Sequence, residues 1–166
     1  MIFIKILNLF LIILICSYLG NLKAKTYDNR VIELSNFRNS ILLLKNKIEF
    51  TYEPINNIFS EISKIIYENK DNIFKEIIKR NGELPKLWND EINKIKNLKT
   101  DDKEIIKVLG KNLGKTDIKG QVSQLELSLK LIERQIENAE NEKNKNYKLY
   151  KKLGGISGIA ICIILL

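Results

Sequence analysis

The stretch from Leu113 to Leu166 limits what this chain can fold into more than any other. It opens with Leu113-Gly114-Lys115-Thr116-Asp117, a break followed by a polar residue suited to capping a helix. Beyond it, Ile118, Val122, Leu125, Leu129, Ile132, Ile136 and Ala139 recur in alternating steps of four and three, a heptad-type stripe. Residues 137–146 are polar all round except for Ala139, a solvated neck. Tyr147, Tyr150, Lys151 and Lys152 follow, and then an apolar run from Leu153 onward. As one continuous helix, Asp117 to Leu166 would be roughly 75 Å long. Such a helix leads out of a soluble bundle and into a membrane.

The rest of the chain agrees with an all-helical reading. Ile2 to Leu22 is apolar except for Lys5, Asn8, Ser17, Gly20 and Asn21. That is enough for a span, which needs about 20 residues. A cleaved signal peptide is the rival reading. It would want a more basic start and small residues before a cleavage point, and a lipoprotein signal would want a small residue where Ile15 precedes Cys16. A retained anchor is favoured. Tyr27, Val31, Leu34, Phe37, Ile41, Leu44 and Ile48 then repeat every three or four places, an amphipathic helix continuing out of the anchor. Leu42 and Leu43 widen its apolar face.

Pro54 ends that helix and suits the first position of the next, which carries Ile55, Ile58, Phe59, Ile62, Ile65 and Ile66. Asp71 is the expected cap of a third helix with Ile73, Phe74, Ile77 and Ile78, closed by Asn81-Gly82. Pro85 starts a fourth, with Trp88, Ile92 and Ile95 on one side. Asp101 and Glu104 have capping-box spacing for a fifth, which holds Ile105, Ile106, Leu109 and Leu113. No segment alternates as a half-buried strand does. The expected fold is an all-α bundle of five to six helices between two terminal membrane helices. Its expected parts are an anchor over 1–22, a helical domain over 23–146 and a membrane segment over 147–166.

The formal net charge is +8. The lysines are spread along the chain and interleaved with acids, without the long basic run that nucleic-acid binding would want. There is no histidine, which removes the commonest general base and metal ligand. The two cysteines, Cys16 and Cys162, both lie in the terminal apolar runs, so the middle carries no disulfide framework. The carboxylates form no ligand or acid–base pattern. No catalytic residue, metal, cofactor or small-molecule substrate is expected.

One near-miss needs weighing. Gly110-Lys111-Asn112-Leu113-Gly114-Lys115-Thr116 has three residues between its glycines, where a phosphate-binding loop has four. The spacing matters because consecutive backbone amides must wrap the phosphate. A helix end, a two-glycine turn and a cap account for it better than a nucleotide site does. In the C-terminal run, Gly154, Gly158 and Cys162 are four apart, a small-xxx-small series that lets helices approach closely in lipid. The run is short, and a re-entrant or interfacial segment is the alternative to a full span. Lys23, Lys25 and Arg30 flank the first apolar segment, and Lys143, Lys145, Lys148, Lys151 and Lys152 flank the second. By the positive-inside rule the intervening domain is cytoplasmic.

These residues resemble the stage III sporulation AB family of endospore-forming bacteria, over nearly the whole chain. The most specific part is Leu113-Gly114-x-x-Asp117-x-x-x-Gln121, followed by the long helix and Leu153-Gly154 before the apolar run. Ile48-x-Phe50 with Pro54-Ile55, and Trp88, are similar to further family features. Lys47 stands where the family pattern has an acid, and Phe50 where it has a tyrosine, which argues against a chemical role at either. The resemblance implies a membrane component of the channel-like complex between mother cell and forespore. It also implies a helical domain similar to that of the type II secretion F-type platform protein. The partners it implies are the other stage III channel proteins, the AA-type ATPase among them.

Overall fold

In a computed structural model, residues 2–51, 53–68 and 70–165 are described. Met1, the first residue of the expected anchor, and Leu166, the last of the expected membrane segment, lie outside them, as do Tyr52 and Asn69. The chain forms α1 (Ile2–Phe50), α2 (Ile55–Ile65), α3 (Ile73–Lys79), α4 (Leu84–Lys94), α5 (Thr100–Asn112) and α6 (Ile118–Leu165). Among the described residues there is no strand. The apolar N-terminal segment and the amphipathic segment after it are one continuous helix, and so are the heptad stripe and the C-terminal apolar run.

Two compact units divide the chain: Met1–Val31 with Asn138–Leu166, and Ile32–Glu137. The core of the second is aromatic. Phe37, Phe59, Phe74 and Trp88 are all nearly inaccessible. Phe74 meets Phe59 edge-on at 5.2 Å and Trp88 edge-on at 5.7 Å between ring centroids, an arrangement that favours aromatic quadrupoles. Leu34, Ile41 and Leu44 of α1, with Leu125 and Ile132 of α6, fill out this core. They come from the expected stripes. Within α6 the stripe is uneven, because Leu125 and Ile132 are buried while Leu129 is half-buried and Ile118 is exposed.

Ion pairs lie outside the core and join α1 to its neighbours. Arg38 meets Glu133 at 3.0 Å and Lys45 meets Glu126 at 2.6 Å. Lys47, the departure from the family pattern, lies 2.8 Å from Glu61 and 3.2 Å from Glu53. It ties the end of α1 to α2. Phe50, the other departure, is exposed.

Several helix ends differ from expectation by a residue or so. Asn72, not Asp71, caps α3: its side-chain oxygen accepts from the Lys75 amide at 3.1 Å, and Asp71 instead pairs with the Lys75 ammonium. Asn72 also donates to Ser63 of α2 at 2.9 Å, a contact that selects it over its neighbour. At α5 the reaching-back carboxylate is Asp102, which accepts from the Lys99 amide at 2.9 Å, so Asp101 and Glu104 form no box. Helix α3 ends at Arg80 in an extended conformation, and Gly82 does not take the left-handed form, so Asn81-Gly82 is a loop rather than a glycine cap. Pro54 precedes α2 as its N-cap residue, one place before the expected first position, and Pro85 is the second residue of α4, which Leu84 begins.

Candidate functional site: the α5–α6 turn and the glycine-lined helix pair

The turn between α5 and α6 holds the densest set of side-chain to backbone hydrogen bonds in the second unit. Leu113 closes α5, its amide donating to Leu109 at 3.1 Å. Gly114 follows with φ of +78°, a left-handed conformation that costs a side-chain-bearing residue about 1–2 kcal/mol. Its amide donates to Gln121 Oε1 at 3.1 Å, and Gln121 Nε2 donates to the Thr116 carbonyl at 2.9 Å. One primary amide thus spans the loop with both ends. Asp117 Oδ1 accepts from the Gly120 amide at 3.1 Å, the geometry of a helix cap. The spacing Leu113-Gly114-x-x-Asp117-x-x-x-Gln121 therefore has a mechanical basis in loop closure.

This arrangement also answers the phosphate-loop question. The amides of Leu113, Gly114 and Lys115 are engaged by Leu109, Gln121 and Asn112. Gly110 lies inside α5 for a packing reason: a Cβ there would come within 2.2 Å of the Trp88 ring. Trp88 is buried against that bare stretch of helix, and its indole N–H donates to the Ile106 carbonyl at 2.8 Å. Trp88 and Gly110 work as one packing element between α4 and α5.

The first unit is a pair of helix ends that meet through glycine. A Cβ on Gly20 would come within 2.7 Å of both the Gly154 Cα and the Tyr150 carbonyl, and one on Gly154 within 2.7 Å of the Cys16 carbonyl. A Cβ on Gly158 would lie 2.9 Å from the Ile13 Cα. Buried Cys162 donates through Sγ to the Leu9 carbonyl at 3.3 Å. The small-xxx-small series Gly154, Gly158 and Cys162 is thus spent on α1 of the same chain, rather than being left free for self-association. Sequence reading missed Gly20, whose partner lies far along the chain. Toward the neck, Tyr27 stacks on Tyr150 at 5.7 Å and Lys23 lies 5.9 Å over the Tyr150 ring. Beyond these, Asp28 pairs with Lys143 at 2.6 Å and Arg30 with Glu142 at 2.9 Å.

Among the described residues one helix, over Leu7–Phe50, is long and apolar enough to cross a membrane, and the most apolar part of it is almost wholly unburied. The exposed faces of the pair are apolar, with Leu7, Phe10, Leu14, Ile156, Ile159 and Ile163 all open. Among the described residues no cluster of histidine, cysteine or acidic side chains could hold a metal ion.

Comparison with known proteins gives a consistent result. The family model described as stage III sporulation protein AB matches residues 5–166. A protein of Bacillus subtilis (strain 168), named stage III sporulation protein AB, is 24% identical over 169 residues, which is 98% of this chain and 99% of that protein. No solved structure matches.

Proposed function

Because the chain belongs to the stage III sporulation protein AB family, we propose that it is a non-enzymatic membrane platform in the mother cell–forespore channel complex. Its role there is to dock a cytoplasmic, secretion-type ATPase of the same sporulation set. The observation that carries the reading is the family match, which takes in both apolar ends and the helical middle. The chemistry of the residues supports it. Every conspicuous feature is spent on holding helices together: Trp88 on Gly110, Gln121 across its loop, and Gly20 against Gly154.

In this reading the apolar start of α1, over 2–22, and the apolar end of α6 enter the mother-cell membrane around the forespore as a pair. Packing backbone to backbone through glycine is a way for helices to associate in lipid, where hydrophobic driving force is missing. The lysines at the tyrosine end support a cytoplasmic helical domain through the positive-inside rule. That domain is expected to resemble the F-type platform domain of type II secretion.

The experiment is a pull-down from sporulating cells with the tagged full-length protein, followed by mass spectrometry. Enrichment of the AA-type ATPase and other stage III membrane proteins is the expected result. Recovery of the channel proteins without the ATPase would remove the docking role and leave a membrane scaffold.

A further inference from the structure

Leu127 and Leu131 stand beside the apolar stripe of α6, but they do not join the core. Leu127 is 60% exposed and Leu131 39%. Val108 of α5, 56% exposed, lies across from them. With Ile105 and Leu109 these side chains line an open recess of about 470 Å³ between α5 and α6. Large apolar side chains gathered around a concavity mark an interaction surface, unlike the same residues scattered singly.

The rim says what kind of partner fits. Lys111, Lys130 and Arg134 do not line the recess but stand one helical turn from its lining residues Val108, Leu127 and Leu131; all three are exposed, and none makes an ion pair among the described residues. Lys130 does act on Glu126, one turn away, but that carboxylate is already held by Lys45. The other acids nearby are also neutralised, Glu104 by Lys107 and Glu133 by Arg38. Asp101, at the start of α5, and Glu137, one turn beyond Arg134, are exposed acids without an ion pair among the described residues, fewer than the three cations. The balance is an apolar floor with a basic border. A second copy of the same surface would set these cations against each other. A bilayer surface offers no ridge to fill a recess, whereas a helix does.

We propose that this recess is the docking surface for an amphipathic helix of another protein, one that carries carboxylates beside its apolar row. From Glu104 to Asn112 the α5 wall is about 12 Å long, room for two to three turns. A visiting helix would reach it with apolar anchors at i, i+3 or i+4 and i+7. The opposite charges on its flanks would set its orientation and speed encounter. The assignment deepens the docking role proposed above and rests on it only in requiring a protein partner.

The test uses the full-length protein in sporulating cells, with the photoreactive residue p-benzoylphenylalanine placed singly at Leu127, at Leu131, or at Ile65 as an exposed apolar control elsewhere. Illumination at Leu127 and Leu131 should give an adduct with another protein. The cross-linked peptide should be amphipathic and net acidic, and Ile65 should give no such adduct. Adding Lys111→Glu and Arg134→Glu, both on the surface, should lower adduct yield about tenfold while the thermal unfolding of the purified protein stays put. An adduct with a second copy, with lipid or with a basic peptide would overturn the assignment, and so would a yield indifferent to the reversed charges. Co-purification of the ATPase without any adduct at Leu127 or Leu131 would retain the docking role and reject this surface.

Discussion

Trp88 and Gly110 are complementary by subtraction: the indole occupies the space a Cβ at residue 110 would need, only 2.2 Å from the ring carbons. Glycine inside a helix ordinarily costs about 1 kcal/mol against alanine, so Gly110→Ala on an open helix would stabilise. Here it should destabilise the purified full-length protein by about 1–3 kcal/mol, as overpacking a filled core does. Urea unfolding followed by circular dichroism would read this. A rise in midpoint would mean that the indole can move aside.

A second prediction separates the faces of α6. Leu125→Ala should cost about 2–5 kcal/mol, as for a buried leucine, and Leu129→Ala less. Leu127→Ala, on the exposed side, should stay within about 0.5 kcal/mol of the parent. The three midpoints, taken under one set of conditions, need only be ranked. An equal loss at Leu127 and Leu125 would mean that the helix is rotated from the described orientation.

The α5–α6 turn gives a third. Asp117→Ala should cost about 1 kcal/mol through loss of a cap. Gln121→Ala removes two hydrogen bonds that contribute about 0.5–1.5 kcal/mol each. Lys115→Ala should leave sporulation near normal, since its side chain lies outside the loop-closing set. Sporulation lost in that variant at normal protein level would reopen the phosphate reading of Gly110 to Thr116.

Much of this was legible beforehand, and the misses share a cause. Periodicity found the helices because burial on one face repeats at 3.6 residues, and Asp117 could be read as a cap because its signal is local. Asp71 and Asn72 are both competent caps side by side. Only the contact of Asn72 with Ser63 of another helix decides between them. Gln121 was reached only through the family resemblance and Gly20 not at all, since each acts on a residue beyond its own turn of helix. The exposure of Leu127 and Leu131 could not be read ahead either, because hydrophobicity says that a side chain would gain from cover, not whether this chain supplies it.

A fourth prediction is a pH effect at Glu33. Burial raises its carboxyl above the ordinary value of 4.5, and no cation pairs with it among the described residues. The folded state therefore holds this proton more tightly than the unfolded state. Stability falls as pH rises from the ordinary value through the raised one. Glu33→Gln should raise the melting temperature at neutral pH and leave it unchanged below about pH 4, where both states are protonated. A benefit that persisted into acid would point to packing rather than charge.

The fifth concerns the glycine pair. Gly154→Ile should push α1 and α6 apart, toward the spacing of about 8–10 Å between axes seen when larger side chains meet. Spin labels at the exposed positions Tyr18 and Ile156 would report the separation by pulsed dipolar spectroscopy. An unchanged distance distribution would show that the close approach at Gly20 and Gly154 is not what holds the pair.

That same contact sets a timetable for biogenesis. Gly20 and Gly154 are separated by 134 residues of chain, and a ribosome adds about 5–20 residues each second. The bare strip of α1 is thus synthesised roughly ten seconds before the residues that will cover it. The pairing must wait until residue 154 has been made, and until then the nascent first helix is a ready target for any other small-faced helix nearby.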